Sequence, residues 1–499
     1  MRSGQVHARA CPAALLGVAL LAVGPGCVTV GPDYRRPAAQ APASWDAIPP
    51  WREAEPRDAV PRTGWWTLFH DEQLELLEGE LLGANPTLQA AFAHLDQARA
   101  SAAVQDANLY PVLAAAPSVG VERYSANRPT GTPQHVSASV TQGNYLLPFT
   151  LSYEVDLLGR RRRTIEAALA TYQASAADLE NVRLVLTAEL AADYFTLRQL
   201  DTQIAILDRT VESLRRALDL QISRHAGGIA SGLDVAQGAT LLDTTRTQAT
   251  LIRIQRRQFE DAIALLVGSP APGFRLEQRE IEAEPPRIDA ALPSDLLERR
   301  PDIAEAERQM AAANAQIGVA QAAYYPSLEL SGQGGWNAQG ISLLMNPASG
   351  FWALAASLAQ TVFDGGARQA EVKLSQAGYE AALAGYRATV LNAFREVQDD
   401  LAGLEVLDVA RRSQDDAVAS SRRQLDLAND RYVGGLASYL DVVSAQQTLL
   451  ANEQQAAIIR GQRLVTTVML VKALGGGWDD RSLASVVREV PRRPTPGRM

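Results

Sequence analysis

Cysteine is nearly absent from this chain: the 499 residues hold two, Cys11 and Cys27, both ahead of any segment able to fold. A disulfide framework and a thiolate zinc site are thereby excluded from the body of the protein. Histidine is equally sparse, with His70, His94, His135 and His225 scattered beyond the first 27 residues and no His-x-x-x-His spacing among them. No catalytic constellation takes shape and no cofactor is expected. Basic charge is in deficit, 47 Lys and Arg against 56 Asp and Glu. That balance argues against nucleic acid, whose binding requires a basic face that releases phosphate counterions. Finally, no apolar run of about 20 residues occurs after Cys27, which removes the transmembrane helix and leaves strands as the only means of spanning a membrane.

What is present begins with a leader. Arg2 and Arg9 precede the apolar run from Pro12 to Val23, and Gly24-Pro25-Gly26-Cys27 follows. This is the order of a charged region, an apolar region and a small-residue cleavage site, so residues 1–26 are expected to be removed as a signal peptide. A cysteine at that junction resembles a lipobox, in which Cys27 would be acylated and become the new N-terminus; each buried acyl methylene contributes about 0.8 kcal/mol. Val28 in the next position, where bacterial lipoproteins retained at the inner membrane carry Asp, points to outer-membrane delivery by analogy. Residues 27–62 are rich in proline and read as an extended, lipid-anchored segment.

The rest of the chain is duplicated. Asn85-Pro86 opens a helical run that closes at Tyr110-Pro111, and Arg300-Pro301 opens one that closes at Tyr325-Pro326, an offset of 215 at both ends (300 − 85, 325 − 110). Further on, Gly227-Gly228 matches Gly434-Gly435 and Leu233-Asp234-Val235 matches Leu440-Asp441-Val442, an offset of 207 (434 − 227, 440 − 233). Each half reads as a helix, two strands, a long helix and a shorter helix. The first repeat is assigned to residues 63–268, with a hairpin at about 111–158 and a long helix at 160–226; the second to 300–475, with a hairpin at about 326–365 and a long helix at 367–433. Residues 269–299 connect the repeats, and 476–499 form a tail.

The period of each segment carries these readings. Tyr145, Leu147, Phe149, Leu151, Tyr153, Val155 and Leu157 alternate with smaller or polar neighbours, as do Trp352, Leu354, Ala356 and Leu358, the mark of strands with one apolar face. Between Arg160 and Ala226 there is neither Gly nor Pro, and apolar residues from Ile165 through Leu190, Leu207 and Leu214 to Ile222 recur at three or four. That is coiled-coil spacing over a helix of roughly 100 Å. Four amphipathic strands cannot close a membrane barrel, because such barrels begin at eight and an unpaired edge in lipid is prohibitive. Two copies would leave a filled interior; three would make twelve strands around water, beside twelve helices.

Several stretches then carry a family resemblance: Gly-Pro-Asp-Tyr-Arg-Arg-Pro at 31–37, Trp65-Trp66-Thr-Leu-Phe69, and the block from Leu292 through Arg300-Pro301-Asp302 to Ala-Asn-Ala-Gln-Ile-Gly-Val-Ala at 313–320. The chain is similar to TolC-type outer membrane factors, in the NodT/OprM-like lipoprotein branch serving resistance-nodulation-division efflux systems. The resemblance implies a homotrimer, mainly α with a 12-stranded membrane β-barrel and a 12-helix periplasmic α-barrel, that passively conducts small toxic molecules. It also implies partners: a periplasmic adaptor (membrane fusion) protein, an inner-membrane pump and outer-membrane lipid. A periplasmic gate falls on Asp441 and Tyr432, with Asp234 from the other tip; adaptor docking falls on Gly227, Gly228, Ile229, Val433, Gly434, Gly435 and Leu436. A second family aspartate would lie at Ser444 and a family arginine at Ala437, so the ionic latch of some members is not reproduced.

Plainer readings stand beside these. Asp441 suits a helix N-terminus, whose dipole favours a carboxylate. Arg160 to Arg163 would meet lipid headgroups or, equally, neighbouring acids. A type I protein-secretion channel would share the fold; a lipid-anchored periplasmic coiled coil would not explain paired strands at equal places in both halves.

Overall fold

The computed structural model describes residues 29–37, 64–126, 139–286, 288 and 299–477. Cys27, the leader and the C-terminal tail lie outside them. The chain divides into two units, one of residues 1–35, 100–170 and 310–381, the other of 36–99, 171–309 and 382–499. The helices in chain order are α1 (Glu72–Ala84), α2 (Pro86–Ala107), α3 (Arg160–Ala226), α4 (Gly232–Leu266), α5 (Pro301–Ala322), α6 (Ala367–Val433) and α7 (Tyr439–Ala473); the strands are β1 (Val112–Ala115), β2 (Ser118–Tyr124), β3 (Val140–Val155), β4 (Ser327–Ala338) and β5 (Gly350–Ala359). The duplicated series of helix, hairpin, long helix and shorter helix is the observed order.

The first unit holds one antiparallel sheet, in which β1 and β2 both pair with β3, β3 with β4, and β4 with β5. Where the sequence suggests one strand before β3, two appear. They share a single register, Ala115 opposite Phe149 and Ser118 opposite Leu146, so the gap is an interruption and not a separate layer. Pro117 sits in that gap and Pro148 is on the facing strand; neither can donate to the ladder. Pro148 faces Gly335 on its other side.

Register sorts most side chains by polarity, with Val112, Leu146 and Phe351 as apolar members of the polar face. On one face lie Leu113, Val119 and Val121 of β1 and β2, Tyr145, Leu147, Phe149, Leu151, Tyr153 and Val155 of β3, Trp336, Leu330 and Leu328 of β4, and Trp352, Leu354 and Leu358 of β5. On the other lie Gln142, Asn144, Thr150, Ser152, Gln333, Ser331 and Ser357. Gly332 and Gly334 of β4 belong to the apolar face: a Cβ at Gly332 would stand 3.2 Å from Leu354 and 3.6 Å from Leu151, so large neighbours on both sides close over it. This face is open, Trp352 and Leu354 being 79% and 78% exposed. Among the described residues β5 pairs only with β4, and β1 and β2 only with β3, so the sheet has two unpaired edges.

Below β3 the four arginines at 160–163 are each matched: Arg160 and Arg161 with Glu154, Arg162 with Asp156, Arg163 with Glu166 and Asp33. Of the two readings of that run, pairing with neighbouring acids describes it.

In the second unit the long helices carry the apolar stripe inward, with Tyr172, Leu179, Leu190, Leu197, Ile204, Leu207 and Leu214 buried. The segment ahead of the first repeat is tied to α3: Trp65 donates to Thr187 Oγ1, Phe69 meets Phe195 at 4.8 Å, and the Tyr194 hydroxyl donates to Asp71, which caps α1 by accepting from Gln73 N and Leu74 N. Asn85 is buried between helices, accepting from Leu88 N and donating to the Leu266 carbonyl at 2.7 Å. A buried network fixes the connection after α4. Asp201 takes Arg198 at 2.7 Å and Arg256 at 2.6 Å, and Arg256 donates to the Leu276 carbonyl. Glu260 accepts from Leu276 N, and Thr202 from Ile281 N. Buried ion pairs add little net stability but fix register, because any other alignment strands a charge. No described helix is long and apolar enough to cross a membrane.

Candidate functional site

The two helix-turn-helix tips are built alike. At the end of α3 the Ile229 N–H returns to the Arg224 carbonyl at 2.8 Å, and Gly228, at φ 74°, takes the left-handed step; at the end of α6 Leu436 returns to Arg431 at 2.8 Å, with Gly435 at φ 71°. This is the Schellman closure, which needs glycine because L side chains clash in that conformation. Each following helix is then started by a serine and an aspartate three residues on. Asp234 accepts from Ser231 N, and Ser231 Oγ accepts from Asp234 N. Asp441 accepts from both the N–H and the hydroxyl of Ser438, each at 2.8 Å. These bonds, the hydroxyl's first, hold the Asp441 carboxyl below its ordinary range, aided by the charge of Arg431.

The turns therefore present fixed backbone crowned by apolar side chains. Ile229, Val433 and Leu436 are each about three-quarters exposed (73%, 76% and 74%). A polar edge adjoins this surface: a groove of about 480 Å³ is lined by Arg423, Arg431, Asp441 and Ser444 with Ala437. Asp441 and Asp234 make their hydrogen bonds inside their own turns, so what the structure gives Asp441 is the capping role, with Arg431 as its nearby cation.

Tyr432 behaves differently. Its hydroxyl donates to Gln221 Oε1 at 2.9 Å, its ring lies under the Arg224 guanidinium at 5.0 Å, and it meets the Tyr439 ring at 5.4 Å. Tyr439 is buried in a cluster with Leu214, Leu241, Leu242, Val442 and Val443. Its phenol is pushed up by that burial and by nearby Tyr432 and Asp234. The α3/α4 and α6/α7 hairpins of one subunit are thus joined at their tips by a hydrogen bond, a ring pair and a cation over a ring. Gln221 did not stand out in the sequence, because nothing in a linear spacing couples it to a tyrosine 211 residues later. A signal exists in hindsight: the stripe calls for Ile222 to be inward, yet Gln221 is buried and Ile222 is about half exposed.

Cys27, the expected lipidation site, lies outside the described residues. Among the described residues no group of three or more His, Cys, Asp or Glu could hold a metal ion.

An open sheet with an apolar outer face, on the same chain as two paired long-helix hairpins ending in fixed turns, defines an outer-membrane channel of the TolC type. Comparison with known proteins makes the assignment specific. Residues 77–269 and 292–476 match the outer membrane efflux protein family, and the chain belongs to it. It is 31% identical over 470 residues to the probable efflux pump outer membrane protein TtgC of Pseudomonas putida, covering 94% of this chain and 96% of that one. Outer membrane protein OprJ of Pseudomonas aeruginosa is 32% identical over 483 residues, covering 95% and 98%. Among solved structures, the outer-membrane channel OprN superposes with a TM-score of 0.83 at 29% identity, covering 90% of this chain and 99% of that one. The Campylobacter jejuni CmeC channel, at 23% identity, shares the fold with a TM-score of 0.86, covering 93% and 98%. The protein is a NodT/OprM-like outer-membrane channel component of a tripartite efflux pump, and its place is the cell outer membrane.

Proposed function

We propose that the working unit is a homotrimer in which three sheets share their free edges to close a twelve-stranded, water-filled barrel. The observation that carries this is the sheet itself. An apolar face suits lipid and a polar face suits water, but two edges of unpaired N–H and C=O groups cannot face hydrocarbon, where each would cost several kcal/mol. A twelve-helix periplasmic barrel follows if any cross-section meets four helices per subunit, each long helix accompanied by two short ones end to end, and exposed apolar positions on single helices, such as Leu374, Leu391, Val406 and Val409 on α6, are surfaces for neighbouring copies.

The channel is a passive conduit without enzymatic chemistry, and an inner-membrane resistance-nodulation-division pump supplies the energy. A periplasmic adaptor docks on Gly227, Gly228 and Ile229 and on Val433, Gly434, Gly435 and Leu436, because rigid turns topped by exposed apolar groups fit a partner at little ordering cost. Tyr432 with Gln221 and Arg224, and Asp441 and Asp234 in supporting places, form the gate. Acyl chains on Cys27 anchor the N-terminus. The cargo class is small toxic molecules or drugs; relatives are named for toluene, antibiotics and pyoverdine. A duct lined by Gln, Ser, Asn and Thr discriminates weakly among such solutes.

A photocrosslinker at Ile229 tests the assembly: capture of the adaptor encoded with its pump is expected, and capture of unrelated proteins alone contradicts it. Labelled palmitate should enter the protein and be lost in Cys27→Ala; incorporation unchanged by that substitution removes the anchor.

A further inference from the structure

The extended segment after the proposed acylation site is seated in a built groove of the first unit. Val30 N donates to the Leu158 carbonyl at 3.0 Å, so the segment joins the chain just where β3 ends and α3 begins. Arg163, on the first turn of α3, has a side chain only 5% exposed. Its guanidinium donates to the carbonyls of Val30 and Gly31, both at 3.2 Å, and to the Asp33 carboxylate at 2.8 Å, with Glu166 at 2.8 Å as a further counterion. Asn314 of α5 donates to the Pro32 carbonyl at 2.9 Å.

Where Gly31 meets Gly318 the groove admits backbone alone. Gly31 sits at φ 101°, and a Cβ there would lie 2.4 Å from the Gly318 Cα; a Cβ on Gly318 would lie 2.9 Å from the Val30 carbonyl and 3.0 Å from the Arg163 stem. A Cβ on Gly159 would lie 2.5 Å from the Thr29 side chain. Two stretches remote in sequence, 31–37 and 313–320, are therefore complementary surfaces.

The duplication supplies the control. By the repeat offsets, Arg163 and Glu166 correspond to Ala370 and Lys373, and Gly318 and Asn314 to Ala103 and Arg99 (370 − 163, 318 − 103). At the counterpart positions alanine stands for the arginine and for the glycine, and the cations Lys373 and Arg99 stand for the counterion Glu166 and the amide Asn314, so the set of groups around one buried guanidinium is not repeated. A Cβ on Gly366, the counterpart of Gly159, meets nothing within 4 Å.

We infer that Arg163, Asn314, Gly318 and Gly159 form a docking site for residues 29–33 of the same chain, with Arg163 as the positioning residue. This site fixes the proposed anchor beside the sheet-to-helix junction of the first repeat only. Thr29 is two steps along the chain from Cys27, a reach of about 7 Å when extended, so acyl chains on Cys27 would enter the bilayer next to the barrel wall and at a set depth. The anchor's position rests on the acylation reading; the docking site does not.

Trypsin tests it on the purified full-length channel in detergent, since Arg35 is exposed and its bond to Arg36 is cleavable only when the segment can enter a protease cleft. Arg163→Ala and Gly318→Val should each speed cleavage after Arg35 by about tenfold or more, the size expected for loss of charge-assisted bonds that hold a local element closed. Arg163→Lys should not restore protection, because a compact ammonium cannot span the four acceptors spread around the planar guanidinium, the carbonyls of Val30 and Gly31 and the carboxylates of Asp33 and Glu166. Cleavage elsewhere and heat-resistant assembly should be unchanged, and so should the rate in Ala370→Val. The same rates are expected in a Cys27→Ala background, while the mass of the released fragment reports acylation separately. Wild-type cleavage rates in both Arg163→Ala and Gly318→Val overturn the docking site. If Arg163→Ala yields no folded channel, Gly318→Val and Asn314→Ala decide by the same readout.

Discussion

Removing one hydroxyl from the tip should loosen the channel. Tyr432→Phe deletes the 2.9 Å bond to Gln221 while keeping the ring against Tyr439 and under Arg224. A partly buried neutral hydrogen bond is worth about 1 kcal/mol net, roughly fivefold in the open-to-closed ratio of one subunit. If three tips open together the effects add to about 3 kcal/mol, on the order of 150-fold. Tyr432→Ala also removes the aromatic contact, about 0.5–1.5 kcal/mol, and the cation over the ring, about 0.5–1 kcal/mol. Arg224→Ala should fall between wild type and Tyr432→Ala. The assay is single-channel recording in planar bilayers, where the order of conductance should be wild type, Tyr432→Phe, Tyr432→Ala. Because the bond lost in Tyr432→Phe joins two neutral groups, raising the KCl concentration should change the ratio of that variant to wild type little. Identical conductance in all three proteins would refute the reasoning.

Two further outcomes are expected. Asn85→Ala removes the cap of α2 and leaves the Leu266 carbonyl buried without its donor, a loss of about 2–4 kcal/mol visible as a lower urea midpoint. Asp400 is pushed up to about 7 by burial and by Glu396 and Asp399, against weaker pulls from Lys472 and Arg395; Glu305 is likewise pushed up to about 7 by burial and by Asp178 and Asp302. A carboxyl whose folded value exceeds its unfolded value favours the folded state when protonated, so stability should decline as pH rises from about 4 through 7. Asp400→Asn and Glu305→Gln together should flatten that decline in thermal melts, and a slope unchanged in the double variant would rule these groups out as its source.

The sequence made the skeleton readable because punctuation did. Pro86, Pro301, Gly159, Gly366 and the glycine turns bound elements whose interiors keep a single period, so type and extent follow from few residues. Interruption of the strand before β3 was hidden, since Pro117 matters only once Pro148 is known to lie one register step from it on the facing strand. The tip was half visible. Tyr432 and Asp441 came from resemblance, whereas Gln221 breaks the apolar stripe for a partner on the other repeat. Long-range polar bookkeeping stayed out of reach: Arg163 with Val30 and Gly31, or Asp201 with Arg198 and Arg256, are agreements between segments that no local pattern announces.

Native mass measurement of the protein extracted in mild detergent tests the shared barrel most directly. The account predicts a particle of three chains that keeps its sheet signal on heating. A helical monomer without heat-resistant sheet would contradict it.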